Sequence, residues 1–83
     1  MKLPRDMSGE DLAWRLHRRY GYQFVRQRGS HIMVVSAIGG VKHSVTVPRH
    51  RAMRVGTLNE IVSDVAAHLG VTKGEVRSEL FGG

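Results

Sequence analysis

Three short runs follow one another in the first half of the chain with only a turn's length between them: Tyr22-Gln23-Phe24-Val25-Arg26-Gln27, His31 to Ser36, and His43-Ser44-Val45-Thr46-Val47. They are rich in β-branched and aromatic residues, and Arg28-Gly29 and the stretch from Ala37 to Lys42 separate them. Connections this short join antiparallel neighbours, so the pattern predicts a three-stranded meander. Pro48 closes the third strand because it has no N–H to give a ladder. The middle run carries apolar residues on both faces, Ile32 and Val34 against Met33 and Val35, as a central strand should.

Helical patterns flank the meander. Ser8 precedes Gly9-Glu10-Asp11, an N-cap followed by acidic residues, and Met7 can pack on Leu12 as a staple. Leu12, Leu16 and Tyr20 recur at helical spacing and Gly21 supplies the left-handed stop, which predicts a helix from Gly9 to Tyr20. Trp14 is off this stripe and is expected to cover an edge. After an arginine-rich loop, Thr57-Leu58-Asn59-Glu60 reads as a capping box, and Leu58, Ile61, Val62, Val65, Ala66 and Leu69 form one apolar stripe. Gly70 ends it. Thr72-Lys73-Gly74-Glu75 repeats the box, with Val71 placed to staple on Val76, and opens a short last helix. The order α-β-β-β-α-α predicts an α+β fold, αβββα(α), with helices covering one face of a three-stranded antiparallel sheet.

With 83 residues, residues 1–83 are expected to form one domain that buries roughly 60–65% of its unfolded surface. No run approaches the ~20 apolar residues of a membrane span. Nothing near Met1 has the form of a signal peptide, so a cytoplasmic location is expected. Without cysteine there is neither a disulfide framework nor a thiolate metal site. Thirteen Lys and Arg against seven Asp and Glu leave a formal charge of +6. No acidic residue occurs between Arg15 and Arg54, so the charge is concentrated where the strands are, and a polyanion, above all a nucleic acid, is the natural partner.

The Arg28-Gly29-Ser30-His31 stretch places a histidine at the start of the middle strand, flanked by Arg26 and Arg28. Gly-Ser-His also occurs in tag scars, but those lie at termini, and this one interrupts a continuous strand pattern. A neutral imidazole there can take a proton from a ribose 2′-hydroxyl while guanidinium groups hold the phosphate. A rim histidine that only caps a backbone group is the alternative reading. His17, His43 and His68 show no metal-ligand spacing, and no metal or other cofactor is expected. Tyr22 and Phe24, at alternate positions, are expected in the core rather than stacked on bases.

Three ordered segments carry a family resemblance: Gly21 to His31, Val45-Thr46-Val47-Pro48-Arg49-His50, and Val55-Gly56-Thr57-Leu58. Together they make the chain, from roughly Leu12 to Leu80, resemble the HicA toxins. The resemblance implies a fold similar to double-stranded RNA-binding domains and activity as an mRNA interferase. It implies an mRNA substrate and a HicB-type antitoxin that covers the active site. The family's catalytic histidine follows Gly-Ser at the start of the second strand, which corresponds to His31, with Gly29 and Ser30 as its supporting turn. Between His50 and Gly56 the chain departs from the usual pattern, carrying Arg51-Ala52-Met53-Arg54-Val55 where the family often has a Lys-Glu-Leu-like stretch. Arg26, Arg28, Lys42, Arg49, Arg51 and Arg54 are the candidate phosphate contacts, and His50 is expected to be structural or to face RNA.

Two other readings use the same residues. Asp64 to Leu80 has the spacing of a helix-turn-helix, although its second helix offers only Lys73 and Arg77 as cations, offset by Glu75 and Glu79. A non-catalytic module that binds double-stranded RNA would share the element order and the charge.

Overall fold

The computed structural model describes residues 4–82. In chain order they form α1 (Gly9–Tyr20), β1 (Gln23–Arg28), β2 (His31–Ser36), a single 3-10 turn (Ile38–Gly40), β3 (His43–Pro48), α2 (Val55–Leu69) and α3 (Lys73–Phe81). This is the α+β order expected. Among the described residues no helix is long and apolar enough to cross a membrane.

Local chemistry sets most of the boundaries. The Ser8 hydroxyl accepts from the Asp11 N–H at 3.0 Å, and Gly21 takes φ 72° while its N–H donates to the His17 carbonyl at 2.9 Å. Thr72 caps α3 in the same way, accepting from the Glu75 N–H at 3.1 Å. The expected cap at Thr57 is not used. α2 begins three residues earlier, with Arg54 as its N-cap and no side-chain cap bond, because the Arg54 carbonyl already accepts from the Leu58 N–H at 3.0 Å. Val71 is exposed and does not staple α3.

The sheet has the order β1-β2-β3, antiparallel throughout. Ile32 and Val34 of β2, with Val45 and Val47 of β3, are buried against Leu12 and Leu16 of α1, Leu58, Val62 and Val65 of α2, and Val76 of α3. The helices pack on this face alone, and on the other Met33 and Val35 are only half-buried. β1 is exposed along its whole length, since the helices lie over β2 and β3 and leave it overhanging. The expectation that Phe24 belongs to the core is therefore wrong: Tyr22, just before β1, is fully buried, whereas Phe24 is 61% exposed.

A bulge in β1 has the largest consequence for function. Phe24 pairs with Val34, but the next pairing is Arg26 with Met33, which leaves Val25 as the extra residue. Strict alternation would put Phe24, Arg26 and Arg28 on one face. The bulge reverses the alternation after Phe24. Phe24 and Gln27 then lie on the helix side, while Arg26 and Arg28 join Met33 and His31 on the open face.

The segment after β3 is pinned to α1. Gly9 donates its N–H to the His50 carbonyl at 2.9 Å, Met53 donates to the Met7 carbonyl at 2.8 Å, and Met53 itself is buried. A Cβ on Gly9 would overlap the Pro48 carbonyl, so only glycine allows α1 to approach this closely. At the far end of the sheet the Tyr22 hydroxyl and His43 Nδ1 share a hydrogen bond of 2.7 Å. The His43 ring stacks on His68 with centroids 4.4 Å apart. Burial pushes the Tyr22 phenol up to about 12. Burial and then the neighbouring His68 hold His43 below its usual 6.5, against a smaller opposing pull from Asp64.

Two predictions follow from these contacts. Gly9→Ala should cost about 1–3 kcal/mol as an overpacked site, whereas Gly56→Ala, in a helix with open space around it, should stabilise by about 0.4–1 kcal/mol. Urea melts of the two variants check this, and equal stabilities would refute the close approach. The unfolded chain protonates His43 before the folded one does, so stability is full above about pH 6.5 and is lost as pH falls toward the lowered folded value. His43→Gln should flatten the decline of melting temperature between pH 7.5 and 5.5; an unchanged decline would assign it to other groups.

Candidate functional site

His31 is the first residue of β2 and is paired on both sides, with Arg28 on β1 and with Pro48 on β3. The turn that presents it has two residues. Gly29 occupies the first central position with φ 54°, a conformation that glycine adopts without steric cost. Gln27 Nε2 donates to the Gly29 carbonyl at 3.1 Å, and the Ser30 carbonyl accepts from the Arg49 N–H at 2.5 Å. The Gly-Ser of the motif thus fixes the backbone on which His31 stands, and the segment after Pro48 braces it from the other side.

On the open face, a shallow depression of about 170 Å³ is lined by Arg26, Arg28, His31, Met33 and Thr46. Its lining comes from two successive rows of the sheet: Arg28 and His31, then Arg26, Met33 and Thr46. Rows on one face repeat every two residues, about 7 Å along the strands, so both guanidinium groups can reach an anion placed over the imidazole. No carboxylate lines the depression. Among the described residues no side chain is hydrogen-bonded to the His31 ring. The arrangement is an imidazole beside two guanidinium cations, open to solvent, which suits a phosphodiester better than a neutral or cationic ligand.

Not every candidate cation belongs to this cluster. Lys42 precedes His43, whose partner is Ser36, so it lies at the opposite end of the sheet from His31. Arg49 Nε donates to Glu10 Oε1 at 2.5 Å, which ties its guanidinium to α1 on the helix side. His50 and Arg51 are exposed in the loop after β3, and Arg54 caps α2. Thr46 was not singled out from sequence. Val45 and Val47 pointing inward already required it to face outward, but its nearness to His31 depended on register. Met53 was also missed, because an apolar residue within Arg51-Ala52-Met53-Arg54 has no periodic neighbours to mark it as core. Among the described residues no three His, Asp or Glu side chains are grouped as metal ligands would be.

Comparison with known proteins adds one finding. Residues 14–70 match the family described as HicA toxin of bacterial toxin-antitoxin. Searches of curated proteins and of solved structures return no match. The matched span runs from α1 through the end of α2, so it includes the Gly-Ser-His turn, the whole sheet and the pinned loop, and leaves α3 outside. It covers more than half of the chain. With that span the chain belongs to the HicA toxin family of bacterial toxin-antitoxin systems.

Proposed function

We propose that this toxin is a metal-independent endoribonuclease that cleaves messenger RNA as a single strand in the cytoplasm and is restrained by a HicB-type antitoxin. The observation that carries this reading is the meeting of His31 with Arg26 and Arg28 in one depression on the open face of the sheet. Family membership supports the toxin role.

In the reaction the neutral His31 imidazole takes the proton from a ribose 2′-hydroxyl. The oxygen attacks the adjacent phosphorus in line, forming the new P–O2′ bond as the P–O5′ bond breaks. Arg26 and Arg28 offset the charge that gathers on the phosphoryl oxygens. The departing 5′-oxygen recovers a proton from solvent or from the imidazolium, which restores the base. The products are a 2′,3′-cyclic phosphate and a 5′-hydroxyl. Gly29 and Ser30 act through the backbone by holding the ring at the strand end. The loop that follows offers His50, Arg51 and Arg54 to flanking phosphates, while the Arg49 guanidinium stays paired with Glu10. Lys42 contributes to the general field and not to this cluster. A surface of net charge +6 also favours capture by a partner with complementary charge.

The test is cleavage of single-stranded RNA in EDTA with analysis of the product ends. His31→Ala should reduce the rate by about 10²–10⁴-fold while the protein stays folded and still binds RNA. Arg28→Gln should lower the salt slope of binding by about one as well as slowing cleavage. Equal cleavage by the native chain and His31→Ala would remove His31 from the mechanism. Binding without cleavage by the native chain would instead support a non-catalytic RNA-binding module.

A further inference from the structure

The overhang of β1 leaves a groove of about 440 Å³ between that strand and α1. Ile32 and Val34 form its floor, Trp14 stands on the helix side, and Phe24 and Gln27 stand on the strand side. Trp14 is 57% exposed and Phe24 is 61% exposed. For a chain with only five aromatic Trp, Tyr and Phe residues, that is a large share of its ring surface left unburied at one place. The ring of His17 lies beside Trp14 with centroids 5.6 Å apart. His17 is itself held by its Nδ1–H donating to the Tyr22 carbonyl at 2.8 Å, so the helix side of the groove is ordered in advance.

The lining restricts what can enter. Exposed rings with an apolar floor call for a flat group with apolar faces, and the amides of Gln23 and Gln27 call for hydrogen-bonding edges. Position supplies the second restriction. Arg49 lines the groove and its N–H is bonded to the Ser30 carbonyl, next to His31. Arg26 and Arg28 alternate with Gln27 across the thickness of one strand, so the groove and the depression at His31 are opposite faces of the same few residues. A group that is flat, polar at its edge and tethered to phosphates is an unpaired nucleobase.

We infer that the groove between α1 and β1 receives an unpaired base of the RNA whose backbone is held at His31, stacked against Trp14 and Phe24. The inference rests on the RNA-cleaving reading and adds to it a reason for preferring single strands: a base already paired in a duplex cannot enter. The bulge at Val25 makes this arrangement by sending Phe24 to the groove and Arg26 to the phosphate side.

Trp14 is the single tryptophan, which makes the test direct. The full-length His31→Ala protein is titrated with a 12-nucleotide single-stranded RNA of mixed sequence, and with the same strand annealed to its complement, while tryptophan emission is followed. The single strand should quench Trp14 saturably and the duplex should not. Phe24→Ala should weaken single-strand binding by about 5- to 150-fold, and Phe24→Tyr should restore it. Far-UV circular dichroism confirms that both variants are folded. Single-strand binding without quenching, or with unchanged affinity in Phe24→Ala, overturns the inference and leaves the reaction at His31 standing. A native protein that neither binds nor cuts the strand overturns both. A response of Trp14 to the antitoxin but not to RNA makes the groove a protein interface and likewise overturns the proposal.

Discussion

The contact on which the site depends is the docking of the Pro48–His50 segment against the N-terminus of α1. Gly9 accepts the Pro48 backbone where any side chain would collide, and its N–H meets the His50 carbonyl. One residue earlier, the Arg49 N–H reaches across to the Ser30 carbonyl and its guanidinium is held by Glu10. These backbone groups find their partners across three different elements. The β1–β2 turn, the end of β3 and the first turn of α1 are thereby joined at the end of the sheet where His31 stands. This junction holds the backbone on which His31 stands, as positioned chemistry would require.

The same end of the sheet shows how one strand serves two surfaces. β1 contributes nothing to the buried core, so its side chains are free to be chosen for what they present. The bulge at Val25 divides them into an aromatic and an amide on the helix side and two guanidinium groups on the open side. An exposed edge strand invites unwanted pairing, and the twist that a bulge imposes, together with the charges of Arg26 and Arg28, works against it. The far end of the sheet is different in character. There Tyr22, His43 and His68 fill the space between the sheet and α2 with polar rings, and burial, with the neighbouring His68, disfavours the charged form of His43.

Much of this was legible in the chain itself. Ser8, Gly21, Gly29, Gly70 and Thr72 punctuate the elements where their backbone chemistry predicts, because caps and left-handed stops are decided within a few residues. The stripe from Leu58 to Val65 marked α2 for the same reason, although Thr57 lost the role of cap to a helix that starts earlier. His31 was identifiable as the candidate base because the Gly-Ser turn and the strand behind it are local features. Phe24 was misread because alternation along a strand says which residues share a face only if no bulge intervenes, and says nothing about whether a helix covers that face. The distance of Lys42 from His31 was not legible because it is a matter of which strand ends meet.

The sequence by itself determined the element order, the antiparallel meander, the basic character of the sheet region and the residue types available for acid-base chemistry. These depend on interactions between residues a few positions apart, or on charge summed over the chain. Only the tertiary structure decided that Arg26 and Arg28 share the open face with His31, while Lys42 lies at the far end of the sheet and Arg49 is tied to α1, and that Trp14 and Phe24 line one groove. Those pairings depend on the register of β1 against β2, on one extra residue at Val25, and on how far α1 reaches across the sheet. Each is set by packing between elements distant in the chain, where a shift of one residue would exchange the two faces of the strand.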